Sequence, residues 1–276
     1  MSQVFSRFRQ IVLVGCLSLV AGCGWFGGGG PKIDENATPE QVLGLAEAQV
    51  AANKPRKAGE LFLEVERLFP YTDASRYALI QAARAFHDSS DLIESRAAAQ
   101  RYLALYPNTG EAAEAQYLVA LSYYDQIVDV RRDQRNSFNA LEEFAVLFEE
   151  FPNSRYVELA KPKWSVAMNQ LAGKEMDVGR YYLRRGHFHS AIKRFKAVIE
   201  EYTQTNQVPE AYYRLVEAYL SLGLDSAAGQ AASTLIAKFP DNEWAAAANQ
   251  LLTTGQTARP ASSGGGRGFF GRLFGG

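Results

Sequence analysis

Residues 179–195 read GRYYLRRGHFHSAIKRF, and their residue types predict two helices that pack closely against each other. Small Gly179 and Ala191 permit a close approach of the two helices, and Phe195 is expected to fill the space between them. Gly186 can adopt the left-handed backbone conformation that ends the first helix. The segment therefore predicts a helix–turn–helix unit.

The same kind of unit recurs along the chain of 276 residues. Apolar segments with helical period end five times in an aromatic residue followed by a turn, and the aromatic residues are 37, 45, 51 and 37 residues apart. A spacing in the thirties is typical of a two-helix solenoid unit. No alternating β-branched run of comparable length is present, so the predicted fold class is all-α. The five markers are RLFP 67–70, ALYP 104–107, EEFP 149–152, EEYT 200–203 and AKFP 237–240.

The small, aromatic and turn positions of these units resemble the tetratricopeptide repeat. We therefore predict a solenoid of about five helix pairs, with three repeats in an N-terminal half, residues 38–153. A C-terminal half, residues 154–254, has two repeats and begins with a long linking helix that has Ser154 as its N-cap and ends at Gly186. The repeat positions are filled by Ala46, Asn53, Ala58 and Phe62 in the first unit, Ala83, Phe86 and Ser90 in the second, and Tyr219, Gly223 and Ala228 in the fifth.

The third unit is longer than the others by about eight residues, around YYDQIVDVRRDQR at 123–135. We interpret the extra residues as an extension of the first helix of the unit and the loop that follows. On a helix its three aspartates would share a face, but the interleaved arginines favour a solvated charged loop over a metal site, and a docking surface stays open. The charged residues are Asp125, Asp129, Asp133, Arg131, Arg132 and Arg135.

Residues 1–22 have the pattern of an export signal. Arg7 and Arg9 form a positive segment without acidic residues, and the apolar run from Ile11 to Val20 is too short to cross a bilayer as a mature helix. Cys16 lies in this run and would be removed with it. The mature chain would then have no second cysteine for a disulfide.

The signal ends in Val20-Ala21-Gly22-Cys23, which resembles the bacterial lipobox. This resemblance implies cleavage between Gly22 and Cys23, with N-acyl and S-diacylglycerol groups (typically palmitate) on Cys23. The next residue is Gly24 rather than aspartate, which favours transfer to the outer membrane. Residues 23–37 then form a lipidated, glycine-rich tether, and the folded part faces the periplasm.

Three longer segments carry a resemblance to one family. They are EVERLFPYTDASRYA at 64–78, LSYYDQI at 121–127 and the segment 179–195 quoted first. Together with the lipobox they resemble the BamD family, outer-membrane lipoproteins of the β-barrel assembly machinery (the BAM complex). The resemblance implies a non-enzymatic scaffold that assists recognition, folding and insertion of unfolded outer-membrane β-barrel proteins.

The family resemblance also implies partners and binding residues. In that family the C-terminal repeats bind the periplasmic domains of BamA, and other BAM lipoproteins complete the complex. The family has an arginine eight residues after the turn glycine of the fourth unit, where it pairs with an acidic residue of BamA. Gly186 is that glycine and Arg194 is that arginine, with an ordinary solvated arginine as the alternative.

The N-terminal repeats of the family are implicated in contacting substrate targeting sequences. First helices of such solenoids face a concave groove, in which aromatic side chains can receive an extended or C-terminal peptide. Some of these tyrosines must instead pack between helices, so both interpretations stay open. The candidate groove residues are Tyr71, Tyr77, Tyr117, Tyr123 and Tyr124.

Several classes of function are disfavoured. A net charge of −1 gives no electrostatic footprint for nucleic acid. The three histidines, His87, His187 and His189, have no ligand partners at metal-binding spacing, and no catalytic domain accompanies the repeats. We therefore predict no enzyme activity, no metal and no cofactor beyond the covalent lipid.

Two further alternatives stay open. A periplasmic repeat adaptor for pilus assembly or for peptidoglycan and cell-envelope coordination would share the anchor and the solenoid, but is not expected to contain the three segments above. The tail 255–276 is rich in glycine and serine and is predicted to be flexible. Its Phe269, Phe270, Leu273 and Phe274 fall at helical spacing, which leaves a docking peptide as the alternative to a disordered tail.

Overall fold

The computed structural model describes residues 33–34 and 36–254, which form eleven α-helices and no β-strand. None of these helices is both long enough and apolar enough to span a membrane. In chain order they are α1 (Pro39–Ala51), α2 (Pro55–Leu68), α3 (Asp73–Asp88), α4 (Leu92–Leu105), α5 (Ala112–Tyr124), α6 (Arg135–Glu150), α7 (Arg155–Arg184), α8 (Phe188–Glu201), α9 (Val208–Ser221), α10 (Asp225–Lys238) and α11 (Glu243–Thr254).

The helices pack as a solenoid of five pairs followed by α11. Each helix packs against the next one in the chain, and the odd-numbered helices also contact each other in sequence from α1 to α11. The odd-numbered helices are therefore the first helices of the repeat units, and together they form one face of the stack. This arrangement confirms the predicted all-α tetratricopeptide-repeat fold.

The five aromatic markers end the second helix of each unit. Each is the C-cap residue, with φ between −117° and −138° and ψ between 44° and 58°, and its backbone N–H donates to the carbonyl four residues earlier. Each ring is partly buried against the core. One residue type therefore both ends the helix and packs the corner to the next unit. The five residues are Phe69, Tyr106, Phe151, Tyr202 and Phe239.

The turns between the two helices of a unit have a left-handed residue where the sequence predicts one. Gly186 and Gly223 have φ of 75° and 71°, and Asn53 has φ of 54°. In the second unit Ser90 has φ of 62°, so a serine fills the position that glycine occupies elsewhere. These turns direct the second helix of each unit back along the first.

The close approach predicted for residues 179–195 is present in the fourth unit. A Cβ atom added to Gly179 of α7 would lie 2.4 Å from Cε1 of Phe195 on α8, closer than carbon atoms pack. Phe195 itself is fully buried. Only glycine therefore allows the Phe195 ring to lie against the α7 backbone.

The long helix α7 belongs to two hydrophobic cores. One core extends from Val42 to Ala160 and the other from Ala172 to Leu251, so α7 contributes residues to both. The helix begins after Ser154, whose hydroxyl accepts a hydrogen bond from the backbone N–H of Tyr156, and it is continuous over 30 residues. It therefore links the two sets of repeats without a break in its secondary structure.

The insertion in the third unit forms a loop, so the predicted extension of the first helix is wrong. Helix α5 ends at Tyr124, and the backbone of Arg131 donates to the Asp129 carboxylate at 2.9 Å, which favours a turn. The side chain of Gln134 donates to the carbonyls of Asp129 and Arg132, both at 3.1 Å. These local bonds compete with helix, and the three aspartates do not share a helical face.

The inserted loop packs against the long helix. The Gln170 side chain donates to the Val128 carbonyl, and Lys174 Nζ lies 3.1 Å from the Arg131 carbonyl. Between these two residues, Gly173 faces the side chain of Val130. The loop therefore supports α7 in the region between the two cores.

Several predictions concern residues outside the described part of the chain. They are the signal peptide 1–22 with its cleavage after Gly22, the lipidated Cys23 with the tether up to residue 32, and the tail 255–276.

Candidate partner-binding surfaces

Arg194 lies on the second helix of the fourth unit and already has a partner within the chain. Its Nη1 atom lies 3.0 Å and 3.2 Å from the two carboxylate oxygens of Glu175 on α7. The Arg194 side chain is 42% exposed and that of Glu175 is 22% exposed. One guanidinium nitrogen is thus bound to Glu175, while Nε and Nη2 have donors left for a second carboxylate.

The position of Arg194 follows from the packing beside it. Phe195 is locked against Gly179, and this fixes the rotation of α8 relative to α7. Arg194 then falls at the rim of a shallow surface depression between the two helices. The depression has both basic and acidic residues, and its lining comprises Glu175, Lys193, Arg194, Lys196, Ala197, Glu200 and Glu201.

Tyr77 is the candidate groove residue that best combines exposure with support. Its ring packs edge-on against Phe62 with ring centroids 6.5 Å apart, and its hydroxyl donates to the Glu47 carboxylate at 3.3 Å. Burial raises the pKa of Tyr77, and the nearby Glu47 charge raises it further. The side chain is still 42% exposed. The ring is therefore fixed by Phe62 and Glu47 while part of it stays accessible to a ligand on the face of the odd-numbered helices.

Tyr71 lies in the corner between the first and second units and is 80% exposed. Its φ of 63° is a conformation that a large side chain rarely adopts. The next residue, Thr72, fixes the corner because its hydroxyl donates to the Phe69 carbonyl at 2.8 Å and accepts from the Ser75 N–H at 3.1 Å. The corner therefore exposes an aromatic ring from a strained backbone position that the Thr72 hydrogen bonds hold in place.

The other three candidate tyrosines are packed to different degrees. Tyr117 is only 9% exposed, its ring lies 5.4 Å from that of Tyr156, and burial raises its pKa to about 12. Tyr124 packs edge-on against Phe144 at 6.3 Å. Tyr123 lies under the Arg96 guanidinium, at 4.2 Å from the ring centroid. The structure thus places Tyr71 and Tyr77 on the surface, and gives Tyr117 the packing position that the sequence left open.

An ion pair that sequence reasoning missed lies on the same face of the odd-numbered helices. Arg84 of α3 donates from Nε and Nη2 to the two carboxylate oxygens of Glu114 on α5, both at 2.5 Å. Burial opposes the charge on Glu114, but the hydrogen bonds from Arg84 and Tyr156 prevail and lower its pKa. The two residues are 30 positions apart, so only the stacking of two units could reveal the pair.

The aspartates of the inserted loop bind within the chain. Asp125 is 2.8 Å from Nε2 of His87, and Asp129 pairs with Arg131. The hydrogen bonds from the Arg131 side chain and backbone lower the pKa of Asp129 to about 2. Within the described residues, no group of histidine, cysteine or acidic side chains is arranged to hold a metal ion.

The sequence of the repeats matches a family model. The model is that of YfiO, outer membrane lipoprotein, and it covers residues 35–233. The chain belongs to the YfiO family. The match includes Tyr71, Tyr77 and Arg194 and both halves of the solenoid, whereas Cys23 and the tail lie outside it.

Curated relatives of this YfiO chain have the name outer membrane protein assembly factor BamD. The protein from Caulobacter vibrioides is 41% identical over 196 residues, which cover 71% of this chain and 64% of that protein. This chain therefore spans slightly less than two thirds of its Caulobacter relative. The protein from Rickettsia prowazekii is 34% identical over 199 residues, which cover 72% of this chain and 79% of that protein. These matches confirm the predicted resemblance to the BamD family.

Solved structures of repeat proteins are similar to this YfiO chain only distantly. A thermophilic tetratricopeptide-repeat protein from Thermus thermophilus has 17% identity and a TM-score of 0.36, covering 78% of this chain and 99% of its own. A tetratricopeptide-repeat protein from Parabacteroides merdae has 12% identity and a TM-score of 0.35, covering 78% and 85%. The helix pairing described above, rather than these weak likenesses, establishes the repeat fold.

Proposed function

We propose that this chain is a non-enzymatic scaffold of the outer-membrane β-barrel assembly machinery. The observation that carries the proposal is the family match, which includes most of both halves of the solenoid, together with relatives that are named assembly factors. The repeat fold supports this role, because a stack of helix pairs offers extended surfaces for other chains. The scaffold assists recognition, folding and insertion of barrel proteins.

The chain is held at the outer membrane, facing the periplasm, by lipid on Cys23. The support for this part of the proposal is the sequence before the repeats: a positive segment, a short apolar run and the lipobox that ends in Gly22 and Cys23. A glycine-rich tether then separates the anchor from α1, which begins at Pro39. The anchor confines the solenoid near the membrane and raises the effective concentration of its membrane partners.

The second half binds BamA through Arg194. Glu175 holds the guanidinium at one nitrogen and so limits the side-chain freedom that binding would otherwise remove. The remaining donors of Arg194 point to a carboxylate on the partner, in accordance with the family resemblance. Other BAM lipoproteins are further partners of the complex.

The first half receives targeting sequences of unfolded barrel proteins. Tyr71 and Tyr77 provide the exposed rings, and Tyr77 is fixed by Phe62 and Glu47. Aromatic side chains with little remaining freedom lose little entropy when they bind a peptide. Tyr117, Tyr123 and Tyr124 are further candidates on α5, although Tyr117 is mostly committed to packing.

Affinity purification of the acylated chain from membranes in mild detergent tests the function. Mass spectrometry of the eluate is expected to identify BamA and other BAM lipoproteins. Recovery of pilus or peptidoglycan proteins without BamA would overturn the proposal.

Variants at the α7–α8 rim test the assignment of Arg194 in the same purification. Arg194→Gln is expected to reduce BamA recovery at least tenfold, because a charge-assisted contact is lost. Glu175→Gln weakens the contact that limits the freedom of the Arg194 side chain and is expected to reduce recovery by a smaller factor. Lys57→Gln, the same charge loss on an exposed residue of the first half, is the control. Equal recovery with Arg194→Gln and with this control would count against the assignment.

A further inference from the structure

The fourth unit concentrates positive charge around its turn. Between Val178 and Ile199 the chain contains six lysines and arginines and no acidic residue, although the net charge of the whole chain is −1. This stretch forms the end of α7, the turn at Gly186 and most of α8. The six residues are Arg180, Arg184, Arg185, Lys193, Arg194 and Lys196.

Only two of these cations are neutralised within the described chain. Arg180 pairs with Glu210 at 3.1 Å, and Arg194 pairs with Glu175. The exposed residues around the turn have no carboxylate within 4 Å in the described part, and the Arg185 guanidinium lies 5.5 Å from the centre of the Tyr181 ring. Tyr181 is 48% exposed. We name this group the cationic edge; it consists of Tyr181, Arg184, Arg185, His189 and Lys193.

Helix stability accounts for only part of the cationic edge. Arg184 and Arg185 lie at the C-terminal end of α7, where the helix dipole favours cations. Lys193 lies in the second turn of α8, beyond the range of that effect, so the dipole does not explain it. The first turn of α8 has no acidic residue, whereas eight of the eleven described helices have one there.

The equivalent turns of other units differ in which charged residues lie beside them and in whether those residues are paired. In the first unit Arg56, just after the turn, pairs with Asp91 at the turn of the second unit, at 2.8 Å. In the fifth unit Asp225 follows the turn and no basic residue lies beside it. Cations at the turn are therefore not a requirement of the repeat. The fourth unit leaves them available to an external anion.

We propose that the cationic edge binds the surface of a membrane that contains anionic phospholipid. Arg184 and Arg185 lie directly before the turn at Gly186, at the end of a helix pair, and Lys193 lies in the second turn of the helix that follows, so several exposed cations are available to one surface. Lysine and arginine close to an anionic membrane each add to binding, and a tyrosine with an exposed ring is favoured at the headgroup level. An acidic peptide would instead need a groove to hold it, and the depression beside Arg194 shares only Lys193 with the cationic edge. This contact goes beyond the scaffold function, since it needs no protein partner.

Vesicle flotation with the unacylated mature chain, residues 23–276 with Cys23→Ser, tests the proposal. We expect binding to vesicles of equal parts phosphatidylcholine and phosphatidylglycerol, weak binding to phosphatidylcholine alone, and a loss of binding as salt is raised. The double variant R184Q/R185Q is expected to bind the anionic vesicles about tenfold or more weakly.

The matched control is R132Q/R135Q, which removes two exposed arginines from the inserted segment 123–135 of the third unit. It is expected to bind within about twofold of the parent chain, because Asp125, Asp129 and Asp133 lie in the same segment and reduce its net positive charge. Thermal unfolding of both variants shows whether they remain folded. Equal losses in the two variants, or no loss in R184Q/R185Q, would overturn the proposal.

The remaining outcome would identify a protein surface instead. If R184Q/R185Q keeps its vesicle binding but the acylated form no longer recovers BamA, the cationic edge serves an acidic protein face, and the lipid proposal is wrong. Because the vesicle assay contains no BamA, its result does not depend on whether the scaffold function is correct.

Discussion

The two halves of the solenoid differ in how much of their positive charge is paired within the chain. In the first half, arginines join neighbouring units: Arg84 pairs with Glu114 and Arg101 with Glu66, the latter at 2.6 Å. In the second half Arg180 likewise joins α7 to Glu210 of α9, but the basic residues around Gly186 remain exposed. The difference shows that a basic residue in a repeat stack can either pair with a carboxylate of a neighbouring unit or remain exposed. The sequence of one unit alone does not show which of the two occurs.

The halves also differ in which two helices are brought into contact by a glycine on one helix and a phenylalanine ring on the other. In the second half Gly179 and Phe195 meet within one unit, whereas in the first half Gly59 of α2 meets Phe86 of α3, the first helix of the next unit. A Cβ at Gly179 would lie 2.4 Å from the ring, and a Cβ at Gly59 would lie 2.9 Å from it. The contact within the unit is therefore the tighter one.

Alanine substitutions at these glycines should show the largest effects. Gly179→Ala is expected to lower the free energy of unfolding by about 2 kcal/mol, because Phe195 is fully buried and must shift. Gly59→Ala is expected to cost about 1 kcal/mol or less, because the overlap is smaller and the gain in helix propensity offsets part of it. Urea denaturation measures both values.

Gly229→Ala is the control for this pair. Gly229 lies in α10 and a Cβ there would meet nothing within 4 Å, so the variant is expected to gain about 0.5–1 kcal/mol from helix propensity. If Gly59→Ala proved as costly as Gly179→Ala, the two halves would not differ in packing as described.

The next largest effect is expected at the ion pair between the second and third units. Arg84→Met leaves the carboxylate of Glu114 without its main partner and is expected to cost about 1–2 kcal/mol at neutral pH. Because Arg84 lowers the pKa of Glu114 below its ordinary value of 4.5, the pair stabilises the fold above that pH and loses its contribution as pH falls.

The stability difference between Arg84→Met and the parent should therefore shrink below about pH 5. Urea denaturation from pH 7 down to pH 3 measures this difference. Lys163→Met, which removes a cation near the Tyr124 ring instead of one in an ion pair, is the control and should show no such pH dependence. A constant difference over that range would contradict the role given to Glu114.

The smallest effect on stability is expected at Tyr71. Asparagine tolerates the left-handed conformation better than tyrosine, so Tyr71→Asn is expected to raise stability by about 0.5–1 kcal/mol. The same variant is expected to bind a labelled C-terminal peptide of a barrel protein several-fold more weakly, measured by fluorescence anisotropy. Unchanged peptide affinity would show that Tyr71 does not contribute to the peptide-binding groove. Ser90→Asn, at another left-handed position, is the control for stability alone.

Local features of the fold could be predicted from the sequence because a few residues decide each of them. The aromatic markers predict the ends of α2, α4, α6, α8 and α10, and Asn53, Gly186 and Gly223 predict left-handed turns. Gly179 and Phe195 predict the close helix pair. In each case the determining residues are close in the chain, so their spacing specifies the geometry.

Ion pairs between helices could not be predicted in this way. Glu175 is 19 residues from Arg194, and Glu114 is 30 residues from Arg84, and their pairing depends on how helices rotate when they stack. The burial of Tyr117 was ambiguous for a related reason. Ten of the thirteen residues of α5 are buried, so this helix has no polar stripe that would show which tyrosine faces outward.

The continuous helix α7 has a mechanical consequence. With 30 residues it is about 45 Å long, and its regular hydrogen bonds resist bending everywhere except near Pro162, which has no N–H to donate to the carbonyl of Glu158. The helix thus keeps a fixed distance between the repeats that precede it and those that follow it. Force applied at one end is transmitted to the other, with a single compliant point beside the first core.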